Sequence, residues 1–143
     1  MYSKALNLSF ILALIVVILG AYTRLADAGL GCPDWPGCYG QLFVPDVIST
    51  EYDRPLDIAK AWKEMIHRYA ASTLGLSIVV IFLLAIFRRP DTLRSVKLPT
   101  ALLLLVGFQG ALGMWTVTEL VHPGIVTMHL LGGFSTTTLL FWL

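Results

Sequence analysis

Four apolar blocks govern what this chain can fold into: Leu6–Tyr22, Tyr69–Phe87, Leu98–Val117 and Ile125–Leu143, of 17, 19, 20 and 19 residues. A helix needs about 20 apolar residues to cross the hydrocarbon core of a bilayer, so each block has spanning length. Lipid offers the backbone no hydrogen-bond partners, and the blocks are continuous rather than alternating, which predicts helices and not barrel strands. The 143 residues therefore accommodate an all-α, four-helix integral membrane bundle with one long loop, residues 23–68. Composition agrees, with 57% hydrophobic and only 13% charged residues, against roughly 25% charged in soluble domains. That excludes a disordered tail, a coiled coil and a soluble enzyme. A net charge of +1 leaves no basic footprint for nucleic acid.

Basic residues set the expected orientation. Arg88, Arg89, Arg94 and Lys97 face one acid, Asp91, in the loop between the second and third blocks. The positive-inside rule puts that loop and the N-terminus in the cytoplasm and residues 23–68 outside, with the bacterial inner membrane as the expected location. Lys4, the first apolar block and Ala26-Asp27-Ala28 also resemble a cleavable signal peptide. The block's length and Arg24 before the supposed cut favour a retained span. The final block runs to Leu143 with no polar flank, which reads either as a minimal bundle or as the front part of a longer protein.

Within the outer loop, Ala28–Gly40 is dense in Gly and Pro and predicts a tight irregular excursion. Leu56, Ala59, Trp62 and Ile66 recur at helical spacing over residues 55–66, a short amphipathic helix with Pro55 in its first turn, running into the second span. Cys32 and Cys38 are the only cysteines. An oxidising outer compartment and the bend from Pro33, Pro36 and Gly37 favour a disulfide over a reduced redox pair or a two-cysteine metal site. Trp35 suits an anchor in the headgroup layer.

Ionisable residues beside a span are the informative ones. His67 stands at the outer entrance of span two, and His129 lies about one and a half turns into span four. Entering from the same side, they reach similar depths, and two imidazoles facing across a bundle are one way to hold haem iron. Ala70, Ala71 and Gly75 beyond His67, and Gly132 and Gly133 beyond His129, leave room for a flat macrocycle. Equally, such small residues let membrane helices pack closely, and a membrane-edge His often serves structure alone. Glu64 sits one turn outward of His67 on the same face, where a carboxylate accepts a proton, stabilises a cation, or simply pairs with Lys60 or Arg68. Arg24, Lys63 and Arg68 crowd the same surface as candidate partners for haem propionates or as interfacial anchors. Gln109, mid-depth in span three among Gly107, Gly110, Ala111 and Gly113, suggests close helix contact. His122, just before Pro123, has no assigned role.

Gly20-x-x-Thr23-Arg24-Leu25, Gly29-Leu30-Gly31-Cys32-Pro33-Asp34-Trp35-Pro36-x-Cys38, Glu64-x-x-His67-Arg68, Gln109-Gly110-x-x-Gly113, Thr116-Val117 and His129-Leu130 together resemble the haem A synthase family of cytochrome oxidase assembly. The resemblance implies oxidation of the C8 methyl of haem O to the formyl group of haem A, with water as oxygen source. It implies one half of a pseudo-symmetric eight-helix protein whose missing half holds haem B. By motif, His67 and His129 look like axial ligands of the substrate haem, which is also the metal centre. Glu64 looks like the catalytic carboxylate, Arg24 and Arg68 are candidate propionate contacts, and Cys32 and Cys38 look like the outer-loop pair. Expected partners are haem O, a haem O synthase, an electron-transfer protein and the bilayer, with homo-oligomerisation open. A membrane b-type cytochrome and a non-catalytic haem-binding assembly subunit are the rival readings; neither needs Glu64 or the Cys32–Cys38 loop.

Overall fold

The structure is a computed structural model and describes residues 2–46, 52, 55–87 and 96–143. Helix α1 spans Tyr2–Leu25, α2 Ile58–Phe87, α3 Lys97–Thr118 and α4 Pro123–Trp142. All four are long and apolar enough to cross a membrane, and no strand occurs among the described residues. Neighbours pack in chain order and the ring closes where α1 meets α4, giving an up-down-up-down integral membrane bundle. Of the basic residues on which the expected orientation rests, Arg88, Arg89 and Arg94 lie outside the described residues, and Lys97 opens α3.

Helix ends follow local chemistry. Asp57 caps α2, its Oδ1 accepting the Lys60 N–H at 3.0 Å. The helix therefore starts at Ile58, three residues after the expected start, and leaves Pro55 outside its first turn. From there α2 continues without a break, so the amphipathic stretch and the second span are one rod. Its 30 residues measure about 45 Å, against roughly 30 Å of hydrocarbon. The excess gives the outer loop a helical post to dock on. Pro123 occupies the first turn of α4, where its missing N–H leaves nothing unpaired.

Two apolar clusters flank a polar layer. The inner one joins Tyr2, Leu6 and Ala13 of α1 to Leu74, Ile78 and Ile81 of α2, Leu102 of α3 and Leu140 of α4. The outer one packs Cys32, Cys38, Tyr39 and Val44 of the loop against Ala61 and Met65 of α2. Leu8, Ile11, Ile18, Leu76, Leu104 and Phe141 point outward from the bundle. In lipid these side chains are already solvated, so helix association rests on close packing and interhelical hydrogen bonds rather than hydrophobic burial. One such bond joins Ser9 of α1 to Ser77 of α2 at 3.0 Å. Span-four hydroxyls are satisfied within their helix: Thr136, Thr137 and Thr138 each donate to the carbonyl four residues earlier at 2.9 Å.

Candidate functional site

Pro and Gly content keeps Ala28–Gly40 from becoming a helix, so its backbone groups need other partners. Asp34 supplies two of them, Oδ1 accepting from Tyr39 N–H at 2.6 Å and Oδ2 from Gly40 N–H at 2.8 Å. Tyr39 and Gly40 have φ of 53° and 74°, and Cys38 and Gln41 exchange backbone hydrogen bonds across them at 2.8 and 3.1 Å. Two positive φ values in succession mark a type I′ turn, which explains a glycine at position 40. The loop is closed by a Cys32–Cys38 disulfide, both sulfurs fully buried. It lies against α2 so tightly that a Cβ on Gly31 would stand 2.5 Å from the Lys60 carbonyl carbon.

Arg68 fastens this loop to the helix. Its Nη1 donates to the carbonyls of Asp34 at 3.0 Å and Gly37 at 2.5 Å, while Nη2 pairs with Glu64 Oε1. Glu64 is 4% exposed, and its Oε2 accepts the Cys32 N–H at 3.0 Å. A carboxylate this buried needs charge-assisted partners, and here a guanidinium and a backbone amide provide them. Tyr69 completes the attachment, its hydroxyl donating to the Leu42 carbonyl at 2.5 Å. Glu64 is thus the joint between α2 and the disulfide loop, one helical turn outward of His67.

The two imidazoles are seated on opposite helix pairs. His67 of α2 rests on α1, where a Cβ at Gly20 would stand 2.9 Å from its Cε1, and it interacts with the Val16 backbone. His129 of α4 rests on α3, its Cε1 3.6 Å from a Cβ placed at Gly113. The rings are within electrostatic range of one another. Each buries an Nδ1 with no hydrogen-bond partner among the described residues. Those residues contain no cluster of three or more His, Cys, Asp or Glu able to enclose a metal ion. Two imidazoles alone suit a metal whose remaining ligands come from a macrocycle. An orienting backbone contact on His67, beside a buried free nitrogen, is what metal-ligating histidines require.

Other expected residues fall differently. Arg24 is exposed, and Lys63 lies over the Tyr22 ring, 5.6 Å from its centroid. The donors of Arg68 go to loop carbonyls and Glu64, so its position is that of a loop clamp rather than a free propionate partner. Gly132 leaves no vacant space, because the Gln109 amide fills its notch, whereas a Cβ at Gly133 would make only ordinary contact with Val17 at 3.8 Å. Gly75 does face open space. His122 is exposed at the α4 start, packed over Gly124. Outside the membrane, Lys60 holds the Asp27 carboxyl below its ordinary 3.8 through a 3.0 Å ion pair, with Arg24 adding to the effect.

Gly20 and Asp34 entered the sequence reading only as motif members, Gly113 also as part of a close helix contact, and Tyr39 not at all; their parts in the site come from the structure. A glycine's neighbour across a helix interface leaves no trace in linear spacing. Asp34 had one signal: an Asp five and six residues before Tyr39-Gly40, placed to cap a turn.

Residues 4–143 match the family model for COX15-CtaA, described as cytochrome oxidase assembly protein. The chain is 50% identical over 96% of its length to a heme A synthase of Shewanella oneidensis, of which it covers 43%. A heme A synthase of Caulobacter vibrioides is 32% identical over 80% of the chain and 34% of its own length. A protoheme IX farnesyltransferase of Halobacterium salinarum is 30% identical over 80% of the chain and 23% of its own length. The chain thus spans less than half the length of these relatives.

Proposed function

The chain belongs to the COX15-CtaA family of cytochrome oxidase assembly proteins, and on that premise we propose that it forms the substrate-holding half of a haem A synthase, an oxidoreductase of the bacterial inner membrane. The observation that carries this reading is the pair His67 and His129, converging from α2 and α4 with buried, unpartnered Nδ1 atoms. Four spans with one imidazole pair make one half of a pseudo-symmetric eight-span arrangement, and haem B belongs to the other half.

In this reading haem O, as substrate, supplies a ring-attached methyl carbon that is oxidised to a formyl group, its oxygen coming from water and its electrons passing to an acceptor. His67 and His129 hold the iron. Gly20, lacking a side chain, leaves room for the His67 ring, and Gly113 lies beside the His129 ring. Arg68 and the backbone N–H groups of Cys32 and Gly31 use three of the roughly four acceptor positions of the Glu64 carboxylate, which leaves it one with which to take up a proton released at the methyl carbon or stabilise developing positive charge. Arg68 and the Cys32 N–H hold that carboxylate in one orientation, and the docked loop keeps bulk water from the outer mouth. Arg24, exposed, and Lys63, half-buried over the Tyr22 ring, are placed on the outer surface to meet propionates. The likeness to a protoheme IX farnesyltransferase supports a farnesylated haem as ligand and a haem O synthase as functional neighbour.

Pigment extraction from the purified protein, expressed in cells that make haem O, tests the reading. Haem O together with haem A is the expected content, and haem B alone points to an electron-transfer cytochrome. Glu64→Gln should keep haem bound but yield no haem A; continued conversion removes Glu64 from the chemistry. Loss of haem binding in neither His67→Ala nor His129→Ala overturns the ligand pair.

A further inference from the structure

Among the described residues, three buried side-chain nitrogens lack a hydrogen-bond partner: His67 Nδ1, His129 Nδ1 and Gln109 Nε2. The histidines belong to the proposed ligand pair. Gln109 is unexplained. It is 9% exposed, in an apolar helix, and an unpaired buried amide donor costs about 1–3 kcal/mol.

Helix association does not account for it. A polar residue between spans normally bonds the neighbouring helix, and Gln109 does touch α4, its amide filling the notch left by Gly132. Yet its Nε2 bonds no acceptor on α4, and the Gly132 carbonyl takes the Thr136 hydroxyl at 2.9 Å. The Gln109 N–H is pressed against α4 without being used by it.

Its level in the bundle indicates a user. His129 contacts the Gly113 position, and Gln109 contacts the Gly132 position. Gly132 lies three residues beyond His129, about 4.5 Å deeper, and Gln109 precedes Gly113 by about 6 Å on the antiparallel α3. Gln109 is therefore roughly one turn inward of the His129 ring, on the same α3–α4 seam. A haem between His67 and His129 keeps its charged propionates toward outer water, because burying them in lipid is prohibitive. Its opposite edge then reaches inward to the Gln109 level. In haem O that edge carries a hydroxyalkyl farnesyl chain where protohaem has a vinyl group. The hydroxyl at the root of that chain is the one polar group on an otherwise apolar edge.

We propose that Gln109 is a specificity residue that donates its Nε2–H to the hydroxyl of the farnesyl-bearing side chain and so selects haem O over protohaem. This rests on the His67–His129 reading above. The unpartnered donor is satisfied when the correct haem binds and stays unsatisfied when a vinyl group occupies the same place.

The test is absorbance titration of the haem-free purified chain in lipid nanodiscs with haem O and, separately, with haem B. Gln109→Leu and Gln109→Met both remove the donor, and Met keeps the length of the side chain. The expected result is a loss of about tenfold in haem O affinity with haem B affinity unchanged within about twofold. The unchanged haem B titration also shows that each variant is folded. Equal weakening toward both haems makes Gln109 a packing residue and overturns the proposal, as does unchanged haem O affinity. If the wild-type chain shows no bis-imidazole spectrum with either haem, the ligand pair fails and the proposal falls with it.

Discussion

A methyl group on Gly20 of α1 would stand 2.9 Å from Cε1 of His67 on α2, closer than side-chain carbons normally approach. The imidazole is therefore positioned by the absence of a side chain on the facing helix. His129 has a looser seat, 3.6 Å from the corresponding point at Gly113.

The difference predicts unequal responses to the same substitution. Gly20→Ala should displace the His67 ring and weaken haem binding by about tenfold or more, the usual effect of disturbing a residue that orients a metal ligand. Loss of the low-spin bis-imidazole spectrum is the readout. Gly113→Ala makes only ordinary contact and should leave that spectrum intact. Gly107→Ala, exposed on α3 and facing open space, serves as the neutral control.

Arg68→Lys should release the disulfide loop from α2. An ammonium cannot reach Glu64 and the Asp34 and Gly37 carbonyls together, as the planar guanidinium does. The expected loss is about 2 kcal/mol, visible as faster proteolysis within residues 28–46 while the spanning helices stay protected.

Reducing Cys32–Cys38 should lower stability by about 2–3 kcal/mol, the entropy expected for a crosslink across a separation of six residues. Both sulfurs are buried, so reduction of the folded protein should be slow and should accelerate in Arg68→Lys, where the loop is free. A thiol-labelling time course compares the two. Equal rates would show that the clamp does not protect the disulfide.

The Asp27–Lys60 pair gives a small acid response with a defined sign. Because Lys60 lowers the Asp27 pKa below 3.8 in the folded chain, its contribution is present above that value and is lost as pH falls through the lowered one. Asp27 is fully exposed, so added salt should erase the difference between wild type and Lys60→Met in an acid unfolding series.

How much could be read in advance differs by kind of feature. The spans were legible because bilayer thickness imposes a length on any apolar helix, and α3 departs by only one residue at each end from the block 98–117. The start of α2 was misplaced because a proline at position 55 signals a first turn, while the actual boundary depends on which side chain caps it, and Asp57 does. The disulfide was favoured from compartment and loop bend, and the structure forms it. Gly132 and Gly133 illustrate the opposite case. Small residues beside a candidate ligand predict space, but whether the space stays empty depends on the neighbouring helix: Gln109 occupies it at Gly132, while Gly133 keeps room for a methyl group beside Val17.

Sequence alone determined that this chain is a four-span membrane bundle, because the lengths and continuity of its apolar blocks meet a constraint that lipid applies residue by residue. It also placed His67, His129 and Glu64 at one end of that bundle, since helical rise converts sequence position into depth. Tertiary structure decided which side chains are free to act at that depth. Arg68, which sequence left between propionate and anchor, became the clamp of the loop; Gln109, which looked like helix glue, kept an unused donor. Those outcomes turn on which groups meet across helices, where only packing brings donor and acceptor within about 3 Å.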